Sequence, residues 1–243
     1  MRNIKLIIEY NGKNYKGWQR QPSEITVQEV IEEAIYKITK EKVDLNGSGR
    51  TDGGVHALGQ VANFYTNSNI SGNNLRNALN TVLPKDVAIV ESKEVDIEFH
   101  ARYHSKGKKY KYIIYHDKIR SPLYSDYSYH VPYELDMNKI IESINKLIGT
   151  YDFTSFTSKK TDKENKVRTI YDISIEQKGK IIEITYSGNG FLYNMIRAIT
   201  GTLIDIGRGK IKEDILDILK AKDRNRAGIT APSHALYLME VYY

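Results

Sequence analysis

The segment Leu45-Asn-Gly-Ser-Gly-Arg-Thr-Asp-Gly-Gly-Val-His56 has the residues best suited to chemistry, with Gly47, Gly49, Gly53 and Gly54 set around Arg50 and Asp52. Glycine lets backbone come close to a ligand and adopt positive φ, so such a loop can present an acid and a guanidinium to a bound molecule. Other chemistries lack their signatures here. No Gly-Lys-Ser/Thr follows at P-loop distance, and Gly47-x-Gly49 alone falls short of a dinucleotide fingerprint. Ser48 is outside any Gly-x-Ser-x-Gly elbow. His100 and His104 flank Ala-Arg-Tyr in a strand-like stretch, where their spacing need not face one way, so they make a weak metal pair. His56 and His234 read as hydrogen-bonded structural histidines. With no cysteine, disulfides, thiolate nucleophiles, zinc–thiolate sites and iron–sulfur clusters are excluded.

A second segment, Gly188-Asn-Gly-Phe-Leu-Tyr-Asn-Met-Ile-Arg197, opens a helical pattern with Leu192, Met195, Ile196 and Ile199 as its apolar stripe. Arg197 falls beside that stripe. It either snorkels to the surface or, if buried, needs a carboxylate. A pairing with Asp52 would hold the aspartate ionised and give the two halves of the chain one shared site.

These groups must be positioned by elements whose pattern occurs twice. Ile4–Ile8 reads as a strand, and Thr26-Val-Gln-Glu29 as a capping box before Val27, Val30, Ile31, Ala34, Ile35 and Ile38 at helical spacing. Strands near Val43–Leu45 and Gln60–Tyr65 follow, then a helix with Leu75, Ala78, Leu79 and Val82 that Pro84 stops, and a strand from Val87. From Lys108 the order restarts: strand Lys109–Tyr115, a helix capped by Asp136, and strands Thr169–Ile175 and Ile181–Tyr186 joined at Lys178-Gly-Lys180. Helices over Phe191–Ile206 and Ile211–Leu219 and a closing strand Leu236–Val241 complete it. Two β-α-β-β-α-β units predict an α+β fold of two similar ferredoxin-like lobes with antiparallel sheets, residues 1–104 and 105–243. Related sheets are common RNA platforms.

At 243 residues, with 40% apolar and 27% charged residues, the chain can bury a substantial core. No apolar run is long enough for a membrane span, and the opening Met-Arg-Asn-Ile-Lys enters a charged strand rather than a signal peptide. The cytoplasm is the expected compartment. Residues 1–104 carry no net charge, so the whole +6 belongs to residues 105–243. It gathers at Lys106, Lys108, Lys109 and Lys111, across Lys159–Arg168, and at Arg224 and Arg226. Such an excess attracts polyanions, although a Lys-rich face is also an ordinary solvated surface. Nineteen tyrosines against five phenylalanines favour an RNA-binding surface, where aromatic faces stack on bases.

Gly49-Arg50-Thr51-Asp52-Gly53-Gly54-Val55-His56-Ala57 resembles the catalytic loop of the tRNA pseudouridine synthase A (TruA) family. Gly12–Arg20, Phe99–Arg102, Lys109–Tyr112, Tyr151–Phe156, Gly190–Arg197 and Thr230–Leu238 resemble its other motifs in order, covering essentially the whole chain. The resemblance implies the pseudouridine synthase fold, its lobes forming a central RNA-binding cleft. It implies isomerisation of uridine to pseudouridine at positions 38, 39 and 40 of the tRNA anticodon stem-loop, without cofactor or metal. It also implies a homodimer with tRNA lying across both subunits. Carried over by motif, Asp52 is the catalytic aspartate, Tyr110 packs against the target uracil, Arg197 pairs with Asp52, and Arg50 assists base flipping. Two positions depart from the family pattern: Gly53 stands where alanine is usual and Ala235 where glycine is usual. The alternatives are a diverged relative modifying uridines in another RNA, or an RNA-binding module without turnover.

Overall fold

The computed structural model describes residues 1–158 and 164–243. Lys159, Lys160 and Lys163 of the expected basic cluster lie outside the described residues. The chain divides into two compact units, Met1–Lys106 with Tyr237–Tyr243, and Gly107–Leu236.

The first unit runs β1 (Arg2–Tyr10), α1 (Val27–Thr39), β2 (Asn46–Gly47), β3 (His56–Thr66), α2 (Gly72–Val82) and β4 (Val87–Val95). Strand β1 is flanked antiparallel by β3 and β4, and β2 pairs with β3. Alternation along β1 sends Ile4, Leu6 and Ile8 into the core, all fully buried. Val27, Ile31, Ala34 and Ile35 bury one face of α1. Each large apolar side chain removed from water contributes roughly 1.5–3 kcal/mol before chain entropy is charged against it.

The start of α1 departs from the expected capping box. Thr26 occupies the N-cap position but its side chain makes no capping hydrogen bond. The backbone N–H groups of Val27 and Gln28 instead donate to the carbonyls of Gly17 (3.2 Å) and Trp18 (3.0 Å). A neighbouring segment has replaced the cap hydroxyl, which ties residues 17–18 to the helix.

The second unit runs β5 (Gly107–His116), β6 (Tyr129–Val131), α3 (Met137–Leu147), β7 (Gly149–Asp152), β8 (Val167–Lys178), β9 (Ile181–Gly188), α4 (Met195–Gly207) and α5 (Ile215–Ala221). Strands β5, β9, β8 and β7 are antiparallel neighbours in that order, and β6 lies parallel to β5. Asp136 caps α3 by accepting from Lys139 N at 3.2 Å. The β8–β9 hairpin turns at Gly179, whose φ is +58°. Helix α4 starts at Met195 rather than Phe191, because Met195 N closes a turn onto Leu192 O and Asn194 adopts a left-handed φ of +61°. Strands β6 and β7 are short additions that the sequence pattern did not indicate.

The closing strand β10 (Leu236–Tyr242) lies parallel to β3, with Tyr237 opposite His56 and Leu238 opposite Ala57. Tyr243 Oη donates to Ala101 O at 2.7 Å, and Lys106 N to Tyr242 O at 2.8 Å. Residues 237–243 thus belong to the first unit, whereas the sequence placed them in a 105–243 lobe. The α+β class with mostly antiparallel strands is as expected. Among the described residues, no helix is long and apolar enough to cross a membrane.

Candidate active site

Arg50 and Asp52 belong to the first unit, on the loop between β2 and β3. Arg50 is exposed and Asp52 half-buried. Asp52 opens a turn in which Val55 N donates back to Asp52 O at 3.2 Å. Gly54 takes φ +82° at the third residue, the conformation that corner of a type II turn requires.

The loop is fastened from several sides. Thr51 is buried, its Oγ1 lying 2.8 Å from Tyr10 Oη at the end of β1. Its carbonyl accepts from Trp18 N at 3.1 Å, and Gly54 N donates to Tyr15 O at 3.3 Å. Asp52 also forms a bridge with Gly17, whose φ is +106°. On the β2 side Ser48 Oγ bonds Gln60 Oε1 at 2.7 Å, while Gln60 Nε2 reaches Gly49 O at 3.0 Å. A side chain at Gly47 would strike the buried indole of Trp18, 2.3 Å from Nε1. Asp52 therefore projects from backbone fixed on both flanks, which keeps the entropy cost of orienting its carboxyl low. Burial holds the Tyr10 phenol far above its usual pKa, so it stays neutral.

His56 is structural, as its context suggested. It is buried, its Nδ1 accepts from Gly12 N at 3.1 Å, and its ring stacks on Tyr237 at 4.8 Å. His100 and His104 close their own loop, with His100 N donating to His104 Nδ1 at 3.3 Å.

Tyr110 and Arg197 belong to the second unit. Tyr110 lies on β5 opposite Tyr186 of β9, 7% exposed, with Phe191 edge-on at 5.4 Å. Arg197 is half-buried in the first turn of α4. Its Nε donates to Ala231 O at 2.7 Å and its Nη1 to Asn194 Oδ1 at 2.8 Å. Tyr112, two residues along β5, donates to the adjoining carbonyl of Pro232 at 2.8 Å. Burial raises the Tyr112 phenol well above its usual pKa, and the Arg197 charge opposes that rise. The Ala231–Pro232 segment thus braces both the arginine and the tyrosine-bearing strand.

Comparison with known proteins decides what this constellation belongs to. Residues 6–104 and 144–243 match the family described as tRNA pseudouridine synthase. The chain belongs to the tRNA pseudouridine synthase family. It is 52% identical over 244 residues to a protein named tRNA pseudouridine synthase A from Acetivibrio thermocellus, and 50% identical to one of the same name from Thermoanaerobacter sp., covering the whole of each chain. A protein named tRNA pseudouridine synthase A 2 from Clostridium tetani is 49% identical over 245 residues, covering 100% of this chain and 99% of that one.

In this tRNA pseudouridine synthase family member the two unusual small residues both fit their surroundings. A Cβ at Gly53 would lie 3.5 Å from Lys16 and Tyr15 backbone, an ordinary contact, and Gly53 does not use positive φ. Ala235 ends a short 3-10 turn (Ser233–Ala235) and is fully buried, so its methyl is packed. Several of the basic residues are engaged within the protein. Arg224 donates to Gly228 O and Thr230 Oγ1 at 2.8 Å each, Arg226 pairs with Glu213, and Lys111 pairs with Glu183 at 2.9 Å. The supporting residues Tyr10, Thr51, Trp18 and Asn194 escaped the sequence reading of roles, because hydrogen bonds made across the fold leave no local spacing to detect.

Proposed function

We propose that this chain isomerises uridine to pseudouridine in the anticodon stem-loop of tRNA, at positions 38, 39 and 40, with Asp52 as the catalytic carboxylate. The reaction breaks the N1–C1′ glycosidic bond, turns the uracil, and joins C5 to C1′. The C5 proton is lost and N1 gains one, so atoms and electrons balance without an oxidant or hydrolysis. The Asp52 carboxylate attacks either C1′ or the uracil ring. Extruding the uridine from its stack costs about a few kcal/mol. Tyr110 offsets part of that cost, since base–aromatic stacking contributes roughly 1–3 kcal/mol. In this reading Arg197 keeps Asp52 ionised, Arg50 occupies the space the uridine vacates, and the enzyme works in the cytoplasm as a homodimer with tRNA across both subunits.

The observation carrying the proposal is the half-buried Asp52 on a loop anchored at Thr51, Gly54 and Gly49, in a chain of this family. Purified protein incubated with tRNA tritiated at uracil C5 should release label, and Asp52→Ala should abolish release. Arg197→Met should greatly reduce release while leaving tRNA affinity largely intact. Normal turnover in that variant would refute the proposed pairing, and no release from any tRNA would favour a binding module. Mapping the product positions separates the anticodon stem from uridines elsewhere.

A further inference from the structure

Arg224 was a candidate RNA contact by charge, yet the second unit turns its guanidinium inward. The residue is half-buried, on a short 3-10 turn (Arg224–Arg226) that Asp223 caps by accepting from Asn225 N at 2.9 Å. Its Nη1 donates to Gly228 O at 2.8 Å and Ala227 O at 3.4 Å, and its Nη2 to Thr230 Oγ1 at 2.8 Å. A guanidinium is planar and holds its donors in a fixed fork, so acceptors on both sides of Ile229 fix the path of residues 227–230. The same stretch is pressed onto helix α4. Gly228 N donates to Thr202 Oγ1 at 2.9 Å, and that hydroxyl donates to Ala198 O at 2.7 Å. A Cβ at Gly201 would collide with the Ile229 carbonyl, and one at Gly228 would lie 2.8 Å from Thr202 Cα. Both glycines serve this close approach of backbone to helix.

The stretch ends on Arg197. Ala231 N donates to Arg197 O at 3.1 Å, while Arg197 Nε donates to Ala231 O at 2.7 Å. With Nη1 on Asn194 Oδ1, the plane of the Arg197 guanidinium follows the placement of Ala231. We propose that Arg224 is a positioning residue for the reaction, fixing residues 227–231 on α4 and through them the orientation of Arg197. This rests on the reading of Arg197 as the group that keeps Asp52 ionised. An arginine that acts through such a chain contributes geometry to the chemical step and little to RNA affinity.

The test measures single-turnover tritium release from C5-labelled tRNA at saturating enzyme, together with tRNA affinity across a salt series, using the full chain. Arg224→Met should lower the single-turnover rate by about 10–100-fold and leave affinity and its salt slope unchanged. Added to Arg197→Met, it should cost less than about twofold more, because both changes remove one contribution. Thr230→Val removes a single acceptor and keeps the side-chain shape. It should lower the rate by a smaller factor, and it carries the test if Arg224→Met does not fold. A wild-type rate in both variants would overturn the inference. So would a salt slope reduced by about 1 at unchanged rate, the mark of a phosphate contact. Losses at Arg224 and Arg197 that simply multiply would show a general structural role and overturn it too. Normal turnover in Arg197→Met sinks the reading beneath it, whereas release lost in Arg197→Met but kept in Arg224→Met and Thr230→Val sinks this inference alone.

Discussion

Gly12, Gly17 and Gly53 converge on one loop, yet a side chain at each would meet different surroundings. A Cβ at Gly12 would lie 2.0 Å from Val55 O, and one at Gly17 would lie 2.5 Å from Thr51 O at φ +106°. Both neighbours are backbone of the Asp52 loop and cannot rotate away. Gly12→Ala and Gly17→Ala should therefore lower the melting temperature and displace the loop. Gly53→Ala has room and no left-handed requirement. It should raise stability by about 0.4–1 kcal/mol by restricting the unfolded chain. Thermal melts of the three variants check the ordering, and a destabilised Gly53→Ala would contradict the geometry described. Asp52, Arg50 and the glycines around them were legible in the sequence because composition and spacing are local. The tolerance of Gly53 was not, since it depends on Lys16 and Tyr15 arriving from another part of the chain.

Helix α1 shows at the scale of elements how much support for the loop is indirect. Glu32, 9% exposed, accepts from Leu45 N and Gln28 Nε2 at 3.0 Å each and pairs with Arg20 at 2.6 Å. It joins the helix to both the entry of the Asp52 loop and the segment after Trp18. Arg20 is about half exposed, so the ion pair itself contributes little. Glu32→Ala would still leave Leu45 N–H unpaired in a buried site, and should cost about 1–3 kcal/mol in chemical denaturation. Thr26 predicts the opposite sign. Its hydroxyl is buried without a hydrogen-bond partner, so Thr26→Val should be neutral or stabilising in the same measurement. A clear loss would mean that the hydroxyl has a partner. Periodicity was enough to read α1, β1, α3 and the β8–β9 hairpin, whose apolar spacing or turn residues are local. It could not read the replacement of the Thr26 cap by Gly17 and Trp18 carbonyls. Nor could it assign β10, whose alternation fits either unit equally well.

Across the molecule, tyrosine serves the core as well as the surface, a division that composition cannot resolve. Tyr10, Tyr112 and Tyr186 are buried with their hydroxyls bonded to Thr51, Pro232 and Thr200, whereas Tyr103, Tyr171 and Tyr193 are exposed. The buried three set an alkaline limit on stability. Burial raises the pKa of each phenol above its ordinary value of 10.0 in the folded chain. Above about pH 10 the unfolded chain sheds these protons while the folded chain retains them, so the folded state binds more protons and stability falls as pH rises. Below that pH the contribution is fully present. Each such phenol removes about 1.4 kcal/mol per pH unit once its unfolded form ionises. Ultraviolet titration at 295 nm should therefore leave part of the phenol signal untitrated while the fold persists. Tyr10, Tyr112 and Tyr186 should ionise only as the circular dichroism is lost. Tyr186→Phe removes one titrating group and should shift the unfolding midpoint to higher pH relative to the variant's own stability at neutral pH. Ionisation of all tyrosines in one step near pH 10, with the fold preserved, would show that these three phenols are not sealed from solvent.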